Sequence, residues 1–246
     1  VANQSFWVYN EKYQPSTIDE LALYPALNRR LRKYAHTQHF PNLMMYGAAG
    51  TGKTTAAKIL ANSVKSATID MFDFGGNRGV DEIRKFISFT TTKSLFSSGI
   101  GSGSVGRVFI LDEFHDVSET NQRMIKKVIE DRDIHRYIFC VNDVQAISAP
   151  IVSRCSLLQF DYCELDILGE ANVLPHTGWD TINDWVKELK RVATIMAAKA
   201  GKTITDSQYD RVFSRGERII NVRSFILALE EVITDDEFEA DERRKG

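Results

Sequence analysis

The chain has 246 residues, 43% hydrophobic and 26% charged, the balance of a soluble globular protein with enough apolar material for one large or two modest domains. No apolar run approaches the roughly 18 residues of a membrane span, and the opening VANQSFWVYN does not read as a signal peptide. A net charge of −2 excludes a global basic field for nucleic acid, and the three cysteines, Cys140, Cys155 and Cys163, have no CxxC spacing, so buried thiols in a reducing, cytoplasmic setting are expected.

In chain order, strand-length apolar runs are predicted at 42–46 (NLMMY), 67–74 (ATIDMFDF), 107–112 (RVFILD), 136–141 (RYIFCV) and 156–160 (SLLQF). Several are continuously apolar, the pattern of a parallel sheet covered on both faces. Between them TTAAKILANSV and ETNQRMIKKVIED carry apolar residues at helical spacing, and this alternation predicts an α/β sandwich over residues 1–164. SSGIGSGSVG (97–106) reads as a flexible loop before a core strand.

After Asp166 only helical patterns are expected. Ile182, Trp185, Val186, Leu189, Val192, Ile195 and Met196 share one helix face, with Gly201 as its stop. A short helix near Thr205 to Phe213 and a third from about Asn221 to Ile233 complete a small all-helical domain, 165–233. The charged, nearly core-free segment 234–246 reads as a tail or a linker.

GAAGTGKT, residues 47–54, fits GxxxxGK[ST] and lies between a predicted strand and a predicted helix. Gly47, Gly50 and Gly52 let backbone N–H groups around Thr51 curl about phosphate oxygens, and the helix start adds positive dipole. Lys53 is placed to reach the β- and γ-phosphates of ATP, and the Thr54 hydroxyl to bind Mg²⁺. Asp112 and Glu113 end the strand RVFILD; beside a P-loop, Asp112 would hold the magnesium and Glu113 polarise an attacking water. The next strand ends at Asn142, either a turn residue or a partner for that water or the γ-phosphate. The five histidines show no ligand spacing and receive no role.

P-loop, DE pair, strand-terminal Asn142, a later arginine and a helical appendage follow the order seen in AAA+ ATPases. The chain resembles the clamp-loader subunits of replication factor C and its phage and archaeal relatives. WVYNEKYQPSTIDEL is similar to their N-terminal motif W-V-x-K-Y-R-P, FDFGGNRGVDEIRKFI to the segment after the second strand, SAPIVSRCSLLQF to their Ser-Arg-Cys signature, and NVRSFILALE to their lid helix. The resemblance implies a P-loop AAA+ core with a helical lid, Tyr13, Pro15 and Thr55 at the nucleotide, Arg154 completing a neighbouring subunit's site, and Arg223 sensing the γ-phosphate within its own subunit. It also implies partners: further loader subunits in a pentameric ring or spiral, a ring-shaped sliding clamp, and primer–template DNA, with no membrane.

DNA contacts are expected from Arg78, Arg84, Gln122, Arg123, Lys126 and Lys127, with Leu95 and Phe96 as an apolar plug for the clamp. The alternatives are solvated helix faces for the basic residues and a local core for the apolar pair. Gln14 stands where the family motif has arginine, and Ile220-Asn221 where it has Gly-Asp. The family's further helical collar domain has no counterpart before Gly246. A DNA-linked AAA+ motor of another kind, a branch-migration helicase or an initiator, and a non-hydrolysing loader subunit remain the alternatives.

Overall fold

The computed structural model describes residues 12–65, 67–76, 79–92, 106–130, 135–160, 164–165, 171–172, 182–214 and 221–245. Arg78, Leu95, Phe96 and Cys163 lie outside them. The fold divides into two compact units: the described residues of 29–48 and 53–160, and those of 1–28, 49–52 and 161–246.

The first unit is a five-stranded parallel sheet, β1 Leu43–Tyr46, β2 Thr68–Asp73, β3 Arg107–Asp112, β4 His135–Val141 and β5 Ser156–Gln159, in the order β2-β3-β4-β1-β5. The intervening helices are α2 Lys53–Ser63, α3 Gly79–Thr92, α4 Glu119–Glu130 and the single turn α5 Ala149–Val152, and α1 Pro25–Thr37 precedes β1. Each predicted strand is present to within a residue or so. The central strands are buried along most of their length, whereas the edge strand β2 fully buries only Phe72 and leaves Met71 exposed. A strand with neighbours on both sides and helices on both faces must be apolar throughout; an edge strand need not be. Arg30 of α1 covers the other edge, donating to the Leu157 carbonyl and the Ser156 hydroxyl of β5.

Aromatic side chains fill the core of this unit. Phe109 stacks on Tyr137 with centroids 5.4 Å apart, and Phe86 meets Phe109 edge-on at 5.6 Å. Phe114, fully buried in the turn after β3, packs edge-on against Phe139 at 4.8 Å and Phe74 at 5.7 Å. The polar turn at the sheet's carboxyl edge is thus anchored by an aromatic plug.

The second unit packs α6 Ile182–Lys199, α7 Asp206–Ser214 and α8 Val222–Lys245 around Trp185, Leu189, Val192, Met196, Tyr209, Val212, Phe225, Leu229 and Val232. Gly201 follows α6 as expected, and the Lys202 N–H returns to the Ala197 carbonyl at 2.8 Å. Two expectations are corrected. Ala171–Asn172 (β7) pairs antiparallel with Glu164–Leu165 (β6), so the region after Asp166 is not purely helical. The charged segment from 234 on, expected outside the third helix as a tail or linker, is helical: α8 runs through it to Lys245, with Arg211 and Gln208 of α7 on Asp236 and Lys202, before α7, on Glu237. The segment lacks an apolar face but not helical propensity. Among the described residues no helix is long and apolar enough to cross a membrane.

Candidate nucleotide site

The strand order sets β3, β4 and β1 side by side, so their carboxyl ends deliver Asp112, Asn142 and the P-loop to one edge, where open α/β sheets bind ligands. Gly47, at φ +140°, leaves β1 directly against β5: a Cβ there would lie 2.2 Å from the Phe160 carbonyl oxygen. Its first requirement is therefore close backbone approach, before any phosphate is considered.

Lys53 opens α2 and is 8% exposed. Its ammonium donates to the carbonyls of Gly47 and Ala48, each at 2.7 Å, and to Asn142 Oδ1 at 3.0 Å. A buried cation needs such acceptors, and these hold it at the mouth of the loop. One residue on, the Thr54 hydroxyl lies 3.0 Å from both Asp112 carboxylate oxygens. Burial raises the Asp112 pKa and the Asp73 carboxylate adds to it, against the opposing Thr54 hydroxyl, the Glu113 N–H and Lys53. Asp73 sits beside Asp112 because the β2–β3 register pairs them.

Two hard oxygen donors, a hydroxyl and a half-buried carboxylate destabilised as an anion, fit Mg²⁺, which takes few protein ligands and fills its shell with water and phosphate. Among the described residues no three His, Cys, Asp or Glu form a metal-ligating group.

Glu113 adopts a left-handed conformation, φ 49° and ψ 34°, uncommon for a residue with a Cβ. The buried Phe114 that follows pins this backbone, and strain of this kind concentrates at working sites. The Glu113 carboxylate lies over Gly75, where a Cβ would come within 2.0 Å of Oε2.

Asn142 uses both ends of its amide: Oδ1 accepts from Lys53, and Nδ2 lies 3.1 Å from His115 Nε2. It is thus a bonded member of the site rather than a free turn residue. His115, which spacing left without a role, joins through a turn that only the fold brings to Asn142. Its one sequence signal is its place two residues after Glu113.

Arg154 is not free in this chain. Its guanidinium donates to Glu130 of α4 and to the Pro150 carbonyl, and Lys126 shares Glu130 at 3.7 Å. Glu130 is a partner that the sequence did not reveal.

Other expected contacts are distributed as follows. Arg84 pairs with Asp81 at 3.5 Å and Arg123 with Glu119 at 2.7 Å, both solvated, and Lys127 is exposed. Gln122, expected on the same solvated face, is instead buried. Its Nε2 donates to the Val117 and Ala146 carbonyls and its Oε1 accepts from the Ser148 N–H, so it staples two loops and faces protein. Thr55 is half-buried beside Thr54.

Within the helical unit, which includes residues 49–52 of the P-loop, Thr51 is buried, and Gly50 and Gly52 have φ of +74° and +93°. The Arg223 N–H points at the Gly50 carbonyl at 3.4 Å, and the Arg223 side chain is exposed. Asn221 caps α8 by accepting from the Ser224 N–H at 2.8 Å. Tyr13 packs on the helical core and Pro15 is half-buried. The segment carrying them is tied to α6, where Lys199 bonds the Gln14 carbonyl and Glu20, and Arg191 the Asp19 and Leu21 carbonyls.

Known proteins are similar to this chain in sequence and in fold. Residues 43–161 match the model of the ATPase family associated with various cellular activities, AAA. The probable replication factor C subunit 5 of Caenorhabditis elegans is 34% identical over 164 residues, 63% of this chain and 44% of that protein. The replication factor C small subunit of Methanococcus vannielii is 32% identical over 164 residues, 64% of this chain and 49% of that protein. The chain thus spans about half the length of the curated relatives it matches. In fold it is similar to the RuvB Holliday junction branch migration motor of Thermotoga maritima, with TM-score 0.58 at 17% identity over 89% of this chain and 65% of that one. Phosphate loop, paired acids and strand-terminal asparagine thus stand on a sheet of this fold, in a chain whose residues 43–161 match the AAA family model and which is similar over part of its length to replication factor C subunits.

Proposed function

We propose that the chain is an ATPase subunit of a sliding-clamp loader, which uses ATP to open a ring clamp and close it around primer–template DNA. The observation that carries the ATPase half is the joined pair of contacts, Lys53 with Asn142 and Thr54 with Asp112, on three adjacent strand ends. The loader half rests on relatives named as replication factor C subunits.

In this reading the Lys53 ammonium exchanges loop carbonyls for the β- and γ-phosphates of ATP. Thr54 and Asp112 would hold Mg²⁺, which would supply neutralisation of phosphate charge. Glu113 polarises the attacking water and Asn142 orients it, a role open to an amide already fixed on Lys53. Tyr13, Pro15, Thr51 and Thr55 lie at the nucleotide, and Arg223 contacts the γ-phosphate from the lid. Arg154 leaves Glu130 to complete a neighbour's site, where a guanidinium stabilises charge on the transferring phosphoryl group. Further loader subunits, the clamp and DNA are the partners. Arg78, Arg84, Arg123, Lys126 and Lys127 supply sequence-independent phosphate contacts, and Leu95 and Phe96 the clamp contact. Gln122 supports the DNA face from beneath.

The test is ATP hydrolysis by the assembled complex carrying Arg154→Ala. ATP binding retained with hydrolysis reduced supports a finger acting in trans; unchanged hydrolysis removes it. Stimulation by DNA that ignores any clamp would instead favour a DNA-linked motor of another kind, and no hydrolysis at all a nucleotide-binding scaffold.

A further inference from the structure

The geometry points to His115 as the positioning residue for Asn142: its neutral imidazole accepts from the Asn142 amide and so keeps the amide oxygen on Lys53. This rests on the ATPase reading above and adds a residue to it.

The proton arrangement follows from donor and acceptor chemistry. An ammonium only donates, so the Asn142 atom 3.0 Å from Lys53 Nζ must be the oxygen. The other end of the amide is then NH₂, also a donor, and it lies 3.1 Å from His115 Nε2. Nε2 must therefore accept, which places the single ring proton of the neutral imidazole on Nδ1. A ring protonated on both nitrogens would set donor against donor. The amide cannot relieve this by turning over, because that would bring its NH₂ onto the Lys53 ammonium. One arrangement satisfies the whole chain from Lys53 through Asn142 to His115.

Two further observations make this more than a chance contact. His115 Nδ1 is buried and finds no hydrogen-bond partner among the described residues, so the ring's hydrogen-bonding contact there is the one Nε2 makes with Asn142. The backbone carrying the ring is fixed by Phe114, wedged between Phe74 and Phe139. The charged groups at this end of the sheet are Asp116 on the same turn, 3.9 Å from Nε2, Lys53 on α2, and Asp73, Asp112 and Glu113 at the strand ends.

The test compares His115→Leu, which removes the acceptor, with His115→Gln, whose side-chain oxygen restores one, each alone and with Asn142→Ala. Single-turnover ATP hydrolysis by the assembled complex and binding of a fluorescent ATP analogue are the readouts. His115→Leu is expected to lose roughly tenfold to a hundredfold in rate while analogue affinity stays within about twofold, a split that marks loss of an interaction made in the transition state. His115→Gln should recover most of the rate, and His115→Leu should cost nothing further once Asn142 is alanine.

Nitrogen-15 spectra of the wild-type imidazole provide an activity-free readout: Nδ1 protonated, Nε2 bare and coupled to the Asn142 amide nitrogen. Full rate in His115→Leu, multiplicative losses in the double variant, or a proton on Nε2 would each overturn the proposal. If the wild-type complex hydrolyses no ATP, the ATPase reading fails while the nitrogen spectra still decide the role of His115.

Discussion

Replacing Gly47 with alanine isolates the backbone demand at the root of the phosphate loop. The added Cβ would lie 2.2 Å from the Phe160 oxygen, 3.1 Å from its carbonyl carbon and 3.3 Å from its Cβ. Real Cβ atoms do not approach closer than 3.0 Å, so β1 and β5 must part by most of an ångström at the point where the Phe160 N–H bonds the Tyr46 carbonyl at 2.7 Å. Holding alanine at φ +140° adds backbone strain. Strain of about 1–3 kcal/mol and overpacking of about 1–3 kcal/mol together give roughly 4 kcal/mol. For a chain of this size that corresponds to a fall in Tm of roughly 8–16 °C.

Gly52→Ala is the internal control. It carries the positive φ, +93°, but its Cβ would meet only Leu21 Cδ2, at 3.9 Å, so strain of about 1–3 kcal/mol is the whole expected cost. Differential scanning calorimetry without nucleotide compares the two before any ligand effect enters. A Gly47→Ala loss no greater than that of Gly52→Ala would refute the steric argument.

Asp112→Asn should stabilise the nucleotide-free protein, because the folded state disfavours the ionised carboxyl. The sign follows from a pKa raised on folding: ionisation in the folded state costs stability as pH rises above the usual carboxylate range, and the amide escapes that cost. Melts at pH 3 and pH 7 should show the variant's advantage growing with pH, alongside loss of Mg²⁺-dependent activity. Gln122→Ala should cost about 2–4 kcal/mol by orphaning two carbonyls and an N–H, against at most about 1 kcal/mol for Arg123→Ala in its solvated pair; urea melts compare them. Burial pushes the Cys155 thiol up to about 12 and Cys140 well above the ordinary thiol value. Both should resist iodoacetamide at pH 8 until the protein is unfolded, read peptide by peptide in a mass spectrometer. Glu20 is raised by burial but lowered overall by Lys199 and Ser16. Its contribution is present above the ordinary carboxylate pKa and lost as pH falls through the lowered value, so Lys199→Met should flatten the acid limb of the stability curve.

The sequence disclosed what repeats or clusters locally. Buried strands announce themselves as apolar runs, and the phosphate loop as glycines at fixed spacing before Lys53. Asp112 and Asn142 were legible because each ends such a run. Gln122 was misplaced because a polar residue among charged ones reads as solvated; only the Val117, Ala146 and Ser148 backbone, brought over α4 by two loops, gives it a reason to be buried. Glu130 and His115 were silent for the same reason. Their partners Arg154 and Asn142 lie 24 and 27 residues away and meet them only through the sheet. The α8 extension was missed because an apolar face was taken as the mark of a helix, whereas Asp236 and Glu237 hold this one by charge.

The measurement that bears most directly on function is steady-state ATP hydrolysis by the assembled complex alone, with primer–template DNA, and with DNA plus its clamp. A clamp-loader subunit requires strong synergy between DNA and clamp, lost in Arg154→Ala while ATP binding persists. Hydrolysis stimulated by DNA and indifferent to the clamp would contradict it.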